Sequence, residues 1–428
     1  MKLQFRIHVA ESQGVPLRRF FTRSEFKEGG MRSYRCRAAF AALVVAVDLF
    51  PYTGWTQVKP RARDLGVPFE GTPGSLNAIT DVKGVEVGHT TLISGAGKLV
   101  VGKGPVRTGV TAILPRGKTP TSQVFAGWFS LNGNGEMTGT TWVEESGFLE
   151  GPVMITNTHS VGVVRDAIIK WRVNSTPPGE NPHWWSLPVV AETYDGYLND
   201  VNGFHVTTQD VFHALDVARS GPLPEGNVGG GTGMICYEFK GGIGTASRLL
   251  PAAQGGYTVG VLVQCNCGAR EQLRIAGVPV GQEITSDKVW SKLDSRPDEE
   301  KGSIIIVVAT DAPLLPHQLK RLARRAALGL ARTGSTSGNG SGDIFIAFST
   351  ANPGAAKPRG LAQLEMVAND DMNPIFAATV QATEESVVNA MVAAETMTGA
   401  DDHTAISLPH DRLRELLKKY NRLPDQRR

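Results

Sequence analysis

Residues 302–308 read Gly302-Ser303-Ile304-Ile305-Ile306-Val307-Val308. Their uninterrupted run of β-branched residues predicts a strand that is buried on both faces. The segment from Ser286 to Lys301 that precedes it is polar and rich in charge, which predicts an exposed linker. The chain is therefore expected to pass from a solvated loop into a buried strand at the Gly302–Ser303 bond.

This junction suits a serine that attacks the carbonyl group before it. Gly302 has no Cβ, so its peptide can take a strained geometry that other residues avoid. After cleavage, Ser303 would carry a hydroxyl nucleophile and an α-amine, whose usual pKa of about 7.7–8.0 allows it to act as a general base. A Gly-Ser pair before a strand is also a common turn, so the local pattern alone leaves both interpretations open.

Short apolar strands and a few amphipathic helices surround this junction. The sequence predicts strands at residues 106–114, 152–156, 188–193, 233–239, 258–264, 303–310 and 344–349, and helices at residues 161–173, 209–219, 317–331, 378–396 and 410–420. The strands carry apolar residues on both faces, and the helices cluster in a few places instead of following every strand. These features favour an α/β fold of the layered αββα sandwich type over a doubly wound sheet or a TIM barrel.

Several motifs that occur in order along the chain resemble the L-aminopeptidase D-esterase/amidase family, to which the β-peptidyl aminopeptidases belong. They lie at residues 64–66, 77–90, 132–137, 227–234, 310–319 and 338–343. The resemblance implies an N-terminal-nucleophile-hydrolase-like sandwich and a proenzyme cleaved into an α-chain ending at Gly302 and a β-chain starting at Ser303. It also implies a homo-oligomer of αβ units that releases N-terminal residues from peptides, amides or esters without a metal or another cofactor.

Four residues match the family's reacting and binding groups. Ser303 matches the nucleophile, and Asn266 matches a side-chain amide that donates to the oxyanion. Tyr194 matches a tyrosine near the tetrahedral intermediate, and its phenol is a candidate second donor. Glu192 matches a carboxylate that pairs with the free amine of the substrate, and it would share a face with Tyr194 if their strand continued.

Ser341 and Asp343 match a serine-x-acid pair that supports the nucleophile. Some relatives have glutamate at the position of Asp343, and the shorter side chain changes the reach of the carboxylate. The general base is therefore open between the α-amine of Ser303 and the Ser341–Asp343 pair. Two other functions also remain open: an acyltransferase of the ornithine acetyltransferase type, which would use threonine at position 303, and a non-catalytic protein that keeps the fold.

Other catalytic motifs are missing from the sequence. The glycine-rich stretch at 226–233 lacks the Lys-Ser/Thr of a phosphate-binding loop, and the histidines form no H-E-x-x-H pattern. No G-x-S-x-G elbow occurs either. Cys265 and Cys267 share a strand face without the spacing of a redox or zinc pair, so we expect buried free thiols there.

The amino-terminal part of the chain differs from the rest. Residues 31–50 combine a basic start with a short apolar run and resemble a secretory signal, which predicts a periplasmic or secreted protein; the alternative is a surface extension on a cytoplasmic protein. The run is too short for a stable membrane helix, so we expect no lasting membrane association. Residues 1–60 are interpreted as an extension and 61–428 as one catalytic domain. A net charge of +3 over 428 residues, without a basic stripe, argues against a nucleic-acid partner.

Overall fold

The computed structural model describes residues 59–118, 123–175, 185–286 and 301–423, with only the backbone of Lys301. The predicted signal segment and most of the predicted linker lie outside these residues. The contacts within the chain define two compact units, with the boundary between Gln57 and Val58. The unit Val58–Arg428 contains all of the described helices and strands. Among the described residues, none of the helices has the length and apolar character needed to cross a bilayer.

Most of the strands belong to two central sheets. The strands are β1 (Glu86–Ser94), β2 (Val106–Lys118), β3 (Gln123–Ser130), β4 (Phe148–Glu150), β5 (Val153–Asn157), β6 (Val189–Thr193), β7 (Ile235–Cys236), β8 (Phe239–Lys240), β9 (Gly242–Leu249), β10 (Thr258–Asn266), β11 (Lys301–Thr310), β12 (Gly340–Ser349), β13 (Met397–Thr398) and β14 (Thr404–Ala405). A four-stranded sheet has the order β1-β2-β5-β6, and a six-stranded sheet has the order β4-β3-β12-β11-β10-β9.

Helices cover the outer face of each sheet. The helices of the described residues are α1 (Thr140–Ser146), α2 (Val161–Asn174), α3 (Thr208–Asp216), α4 (Val280–Glu283), α5 (Pro316–Arg332), α6 (Asn373–Val392) and α7 (His410–Lys419). Helices α2 and α3 share one apolar core with the four-stranded sheet, and α5 and α6 share another with the six-stranded sheet. A third core lies between the two sheets. The layers therefore form the predicted αββα sandwich.

The β-branched run of β11 explains why this strand lies at the centre. Ile304, Ile306 and Val308 point into the core beneath α5 and α6, whereas Ile305 and Val307 point into the core between the sheets. All of these side chains are fully buried, and burial of each stabilises the fold by about 1.5–3 kcal/mol. A polar residue on either face of β11 would face an apolar layer.

Helix α5 begins and ends where its sequence signals indicate. Pro316 occupies the first turn, where its missing N–H is not needed. The apolar positions Leu319, Leu322, Ala323, Ala326 and Leu330 recur on one face and are buried. The helix ends at Arg332, and Gly334 follows with a φ of 103°. Since α5 joins the parallel strands β11 and β12, it returns the chain to the strand beside Ser303.

Several predicted boundaries need correction. Residues 233–239 form the start of a small hairpin instead of one strand, because Tyr237 and Glu238 adopt left-handed φ values of 51° and 58° between β7 and β8. Helix α6 begins earlier than predicted, with proline in its first turn, and ends at Val392. Strands β1, β3 and β9 were not predicted, since glycine and polar residues interrupt their apolar patterns.

The expectation of free thiols is wrong for Cys265. Its Sγ is bonded to Cys236, which lies 29 residues away in sequence on the neighbouring hairpin, at a Cα–Cα distance of 5.7 Å. Cys267 is buried and lies outside this disulfide, and its Sγ is 4.0 Å from that of Cys265, so these two side chains do share a face. No sequence pattern indicates this bond, because the hairpin that brings Cys236 next to Cys265 is not evident from the residues alone.

Candidate active site

Strand pairing places Ser303 between the predicted oxyanion donor and a glycine of the 338–343 motif. It lies directly opposite Asn266 of β10 on one side and Gly342 of β12 on the other. The backbone N–H of Gly342 donates to Ser303 Oγ at 3.1 Å. Ser303 is only 6% exposed. The hydroxyl group is therefore held by the sheet itself rather than by a flexible loop.

Gly302 has the backbone conformation that only glycine tolerates at this point. Its φ is 129°, and a Cβ built on it would lie 2.0 Å from the carbonyl oxygen of Asn266. Such a contact is far inside the van der Waals distance, so any side chain would push β10 and β11 apart. The peptide that precedes Ser303 is thus pressed against the strand that carries Asn266.

The side-chain amide of Asn266 is held at both ends. Its Oδ1 accepts a hydrogen bond from the N–H of Ile235 at 2.8 Å, which fixes the orientation of the amide. Its Nδ2 donates one hydrogen to the carbonyl oxygen of Tyr194 at 3.0 Å. An amide nitrogen has two hydrogens, so the second can serve an oxyanion formed at Ser303.

Ser341 and Asp343 lie behind the nucleophile and are fully buried. Ser341 Oγ donates to Asp343 Oδ1 at 2.7 Å, and the N–H of Ile304 donates to the same oxygen at 3.2 Å. The carboxylate therefore reaches the backbone of the residue after Ser303. This contact places β11 against β12 and holds the nucleophile in register.

Glu192 is the acidic group on the opposite side of the site and is 4% exposed. Its Oε1 accepts from the N–H of Glu136 at 3.0 Å, and its Oε2 accepts from the Thr158 hydroxyl. Burial raises the pKa of the Glu192 carboxyl, although both hydrogen bonds act in the opposite direction. A buried carboxylate with this environment favours the arrival of a cation.

Gly135 connects the acidic side with the nucleophile. A Cβ built on Gly135 would lie 3.4 Å from Glu192 Oε1 and 3.1 Å from the Cα of Gly342. Since the N–H of Gly342 holds Ser303 Oγ, one glycine contacts the groups on both sides. Gly135 therefore lies between the carboxylate of Glu192 and the strand segment that holds the Ser303 hydroxyl.

Tyr194 differs from the other predicted residues because its side chain is 52% exposed. Strand β6 ends at Thr193, so Tyr194 and the buried Glu192 do not share a strand face. The backbone carbonyl of Tyr194 contacts Asn266, whereas its phenol lies over Gly196, where an added Cβ would come within 2.2 Å of the phenol oxygen. Tyr194 therefore contacts Asn266 through its backbone carbonyl, and the predicted donor role of its phenol stays a prediction.

The backbone groups of the site were not identified from the sequence. Gly342 belongs to a motif that was noted, but nothing indicated that its N–H binds Ser303. Ile235 acts through its N–H, which any residue other than proline would supply. Thr158 follows β5 and carries no signal that it would reach Glu192, because that contact depends on the pairing of β5 with β6.

A buried glutamine bridges the two sheets close to the site. Gln264 of β10 donates to the carbonyl oxygen of Thr156 at 2.9 Å and to Thr193 Oγ1 at 2.8 Å. Gln264 precedes Asn266 by two residues, and Thr193 lies between Glu192 and Tyr194. This bridge fixes the spacing between the nucleophile and the acidic group.

A nucleophilic serine at the entry of a central strand, between the two sheets of an αββα sandwich, defines a hydrolase of the N-terminal-nucleophile type. The sequence comparisons agree with this class. The model of Peptidase family S58 matches residues 77–405, and the chain belongs to that family. It is therefore a hydrolase that acts on peptide bonds. The family assignment favours an aminopeptidase with a serine nucleophile over the acyltransferase and over the non-catalytic protein.

Well-covered relatives support the assignment. The chain is 57% identical over 373 residues to the beta-peptidyl aminopeptidase BapA of Sphingosinicella microcystinivorans, covering 85% of this chain and 93% of the relative. The structure resembles the L-aminopeptidase D-Ala-esterase/amidase of Ochrobactrum anthropi with a TM-score of 0.79, 52% identity and coverage of 86% and 100%. A beta-aminopeptidase from a Burkholderia species gives a TM-score of 0.76, 47% identity and coverage of 84% and 99%.

Proposed function

We propose that the chain cleaves its own Gly302–Ser303 bond and then uses Ser303 to remove N-terminal residues from peptides and amides. Ser303 Oγ attacks the carbonyl carbon of the substrate, and the second hydrogen of Asn266 Nδ2 binds the oxyanion. The general base, either the α-amine of Ser303 or the Ser341–Asp343 pair, takes the proton that Ser303 Oγ loses and passes it to the nitrogen of the leaving amine. The C–N bond then breaks, and an acyl-Ser303 ester remains. Water then attacks this ester, which releases the acid and restores Ser303.

The observation that carries this proposal is the conformation at Gly302. Gly302 is pressed against the strand of Asn266 at a φ of 129°. Ser303 directly follows it, and the N–H of Gly342 holds the attacking Ser303 Oγ. The amide that would bind the substrate oxyanion thus lies beside the peptide that would be cut first. The same groups can serve self-cleavage and, afterwards, substrate hydrolysis.

The substrate would carry a free amine at its N-terminus. Glu192 is a buried carboxylate across the site from Ser303, and an ammonium group would give it a charge-assisted hydrogen bond. A blocked amine would leave the carboxylate without a cation in a poorly solvated place. We infer a preference for N-terminal β-amino residues, since two of the relatives above are a beta-peptidyl aminopeptidase and a beta-aminopeptidase.

Intact-mass spectrometry tests the nucleophile. Wild-type protein should give two fragments, the second beginning at Ser303, whereas Ser303→Ala should remain one chain. Ser349→Ala is a matched control, because this buried serine lies in β12 and donates to the carbonyl oxygen of Ala312 instead of facing the site. The control should be cleaved, and a folded wild type that stays uncut would refute the assignment.

Matched p-nitroanilides test the substrate class. We expect the cleaved enzyme to hydrolyse β-alanyl-p-nitroanilide with a higher kcat/KM than L-alanyl-p-nitroanilide. N-acetylated β-alanyl-p-nitroanilide should be a very poor substrate. Equal rates with free and acetylated amines would remove Glu192 from substrate recognition, and a higher rate with the L-alanyl compound would reverse the inferred preference.

We also propose that the protein is exported and assembles from several αβ units. Export is supported by the signal-like segment at 31–50 and by the Cys236–Cys265 disulfide, a bond typical of oxidising compartments. Assembly is supported by the exposed apolar side chains of Leu361, Leu364 and Met366, which are 92%, 43% and 49% exposed. Fractionation of cells and light scattering of the purified protein would test the two proposals separately.

A further inference from the structure

Lys240 is a buried cation that the mechanism above does not use. It lies in β8 and is fully buried. Its Nζ donates to the carbonyl oxygens of Met234 at 2.7 Å, Gly241 at 2.8 Å and Gly231 at 3.4 Å. Each of these acceptors is a neutral backbone group, so the described hydrogen bonds bring no negative charge to the ammonium.

The carbonyl group of Met234 belongs to the same peptide as the N–H of Ile235. That N–H donates to Asn266 Oδ1 at 2.8 Å. Two amide groups therefore lie in series between Lys240 and the Asn266 hydrogen that faces the reacting carbonyl. Polarisation passes along such a chain, because a cation on the oxygen of an amide makes its N–H a stronger donor.

We propose that Lys240 is a positioning residue that polarises the oxyanion donor Asn266 through the Met234–Ile235 peptide. The inference rests on the proposed role of Asn266 and deepens it. The tetrahedral intermediate carries a full negative charge that the ground-state carbonyl lacks. Lys240 therefore stabilises the intermediate more than the bound substrate, and its effect falls on kcat.

The cage around Nζ fits the charged form of the side chain. An ammonium has three hydrogens for the three carbonyl oxygens, whereas a neutral amine would turn its lone pair towards one of them. Burial lowers the pKa of the Lys240 ammonium well below its usual value. The carbonyl dipoles oppose this effect and favour retention of the proton.

The hairpin does not depend on Lys240 alone. Ile235 pairs with Lys240 and Cys236 pairs with Phe239 through the backbone, and the Cys236–Cys265 disulfide ties the hairpin to β10. Ile235 therefore keeps its place beside Asn266 when the charge is removed. Substitution of Lys240 can be expected to change the strength of the donor with little change in its position.

The test compares a ligand that forms an oxyanion with one that does not. An amino aldehyde, β-alaninal, would add to Ser303 as a hemiacetal whose oxygen faces Asn266, whereas the product β-alanine forms no such bond. Both affinities, kcat and KM are measured on self-cleaved wild type, Lys240→Met and Lys240→Gln. Lys118→Met is the matched control, since Lys118 also donates to a backbone carbonyl but lies exposed at the end of β2.

We expect Lys240→Met to lower kcat and the aldehyde affinity by about tenfold, less than loss of a direct donor would, with KM and β-alanine affinity unchanged. Lys240→Gln keeps a donor without the charge and should lose several-fold in aldehyde affinity, so it serves the test if the methionine variant does not fold. Equal losses for aldehyde and product, or wild-type values in a folded variant, would overturn the inference. A wild type that neither hydrolyses substrate nor binds the aldehyde would instead refute the proposed function.

Discussion

The nucleophile side and the amine side of the site are built in different ways. On the nucleophile side, Ser303, Asn266 and Gly342 stand at neighbouring positions of three paired strands, so the register of the sheet sets their geometry. On the amine side, Glu192 is held by a loop N–H and by Thr158, which lies beyond the end of β5. Groups fixed by sheet register keep one geometry, whereas loops can vary and change which substrate is accepted. This difference indicates that the six-stranded sheet positions the reacting groups, whereas the surroundings of Glu192 recognise the substrate amine.

The largest expected effect comes from Gly302→Ala. The added Cβ would lie 2.0 Å from the carbonyl oxygen of Asn266, so the scissile peptide could not keep its place. We expect self-cleavage to slow by on the order of 100-fold or more, which corresponds to about 2.7 kcal/mol or more. The measurement is a time course of intact mass.

Gly97→Ala provides the control for this substitution. Gly97 also has a positive φ, of 81°, but a Cβ there would meet nothing within 4 Å. It should therefore reproduce the backbone strain without the collision, and self-cleavage should proceed normally. If Gly302→Ala matured as fast as Gly97→Ala, the close approach of the two strands would play no part in the reaction.

Asn266→Ala should have the next largest effect. Removal of the amide leaves the oxyanion without its side-chain donor, and kcat should fall by roughly 10²–10³-fold with little change in KM. Asn352→Ala is a control, because its amide bonds to Glu365 in an exposed loop. A variant with normal kcat and raised KM would mean that Asn266 acts in substrate binding instead of oxyanion stabilisation.

Gly196→Ala should have a moderate effect, because it acts on Tyr194 without removing it. The new Cβ would collide with the phenol, which must then leave its position over Gly196. We expect a loss of about tenfold in kcat/KM, equivalent to about 1.4 kcal/mol. Gly162→Ala adds a methyl group in open space and should be silent. Equal activity of the two variants would mean that the placement of the phenol does not matter.

The smallest effect concerns pH. Because burial raises the pKa of Glu192, this carboxyl gains its proton at a higher pH than an ordinary glutamate. Protonation removes the charge that binds the ammonium, so kcat/KM should fall with decreasing pH. It should be about twofold below its maximum where the pH equals the pKa of Glu192. A substrate ester without an amine should lack this limb. The same limb for both substrates would assign the titration to another group.

The sequence predicted one side of the site better than the other. Ser303 could be found because a polar linker meets a β-branched run, and the layers followed from strands that are apolar on both faces. The contacts of Asn266 could not be found, because they depend on a hairpin whose turn residues, Tyr237 and Glu238, are not typical of left-handed φ values. The partners of Glu192 could not be found either, since Thr158 reaches it only through strand pairing.

The separation of the reacting groups from the amine-binding group is tested most directly with Glu192→Gln, which keeps the size of the side chain and removes its charge. Self-cleavage is followed by intact mass, and kcat/KM is measured with β-alanyl-p-nitroanilide and with an ester that lacks an amine. We predict complete self-cleavage, a loss on the order of 100-fold with the anilide and little change with the ester. A folded variant that stays uncut, or one that hydrolyses the anilide normally, would contradict the separation of chemistry from recognition.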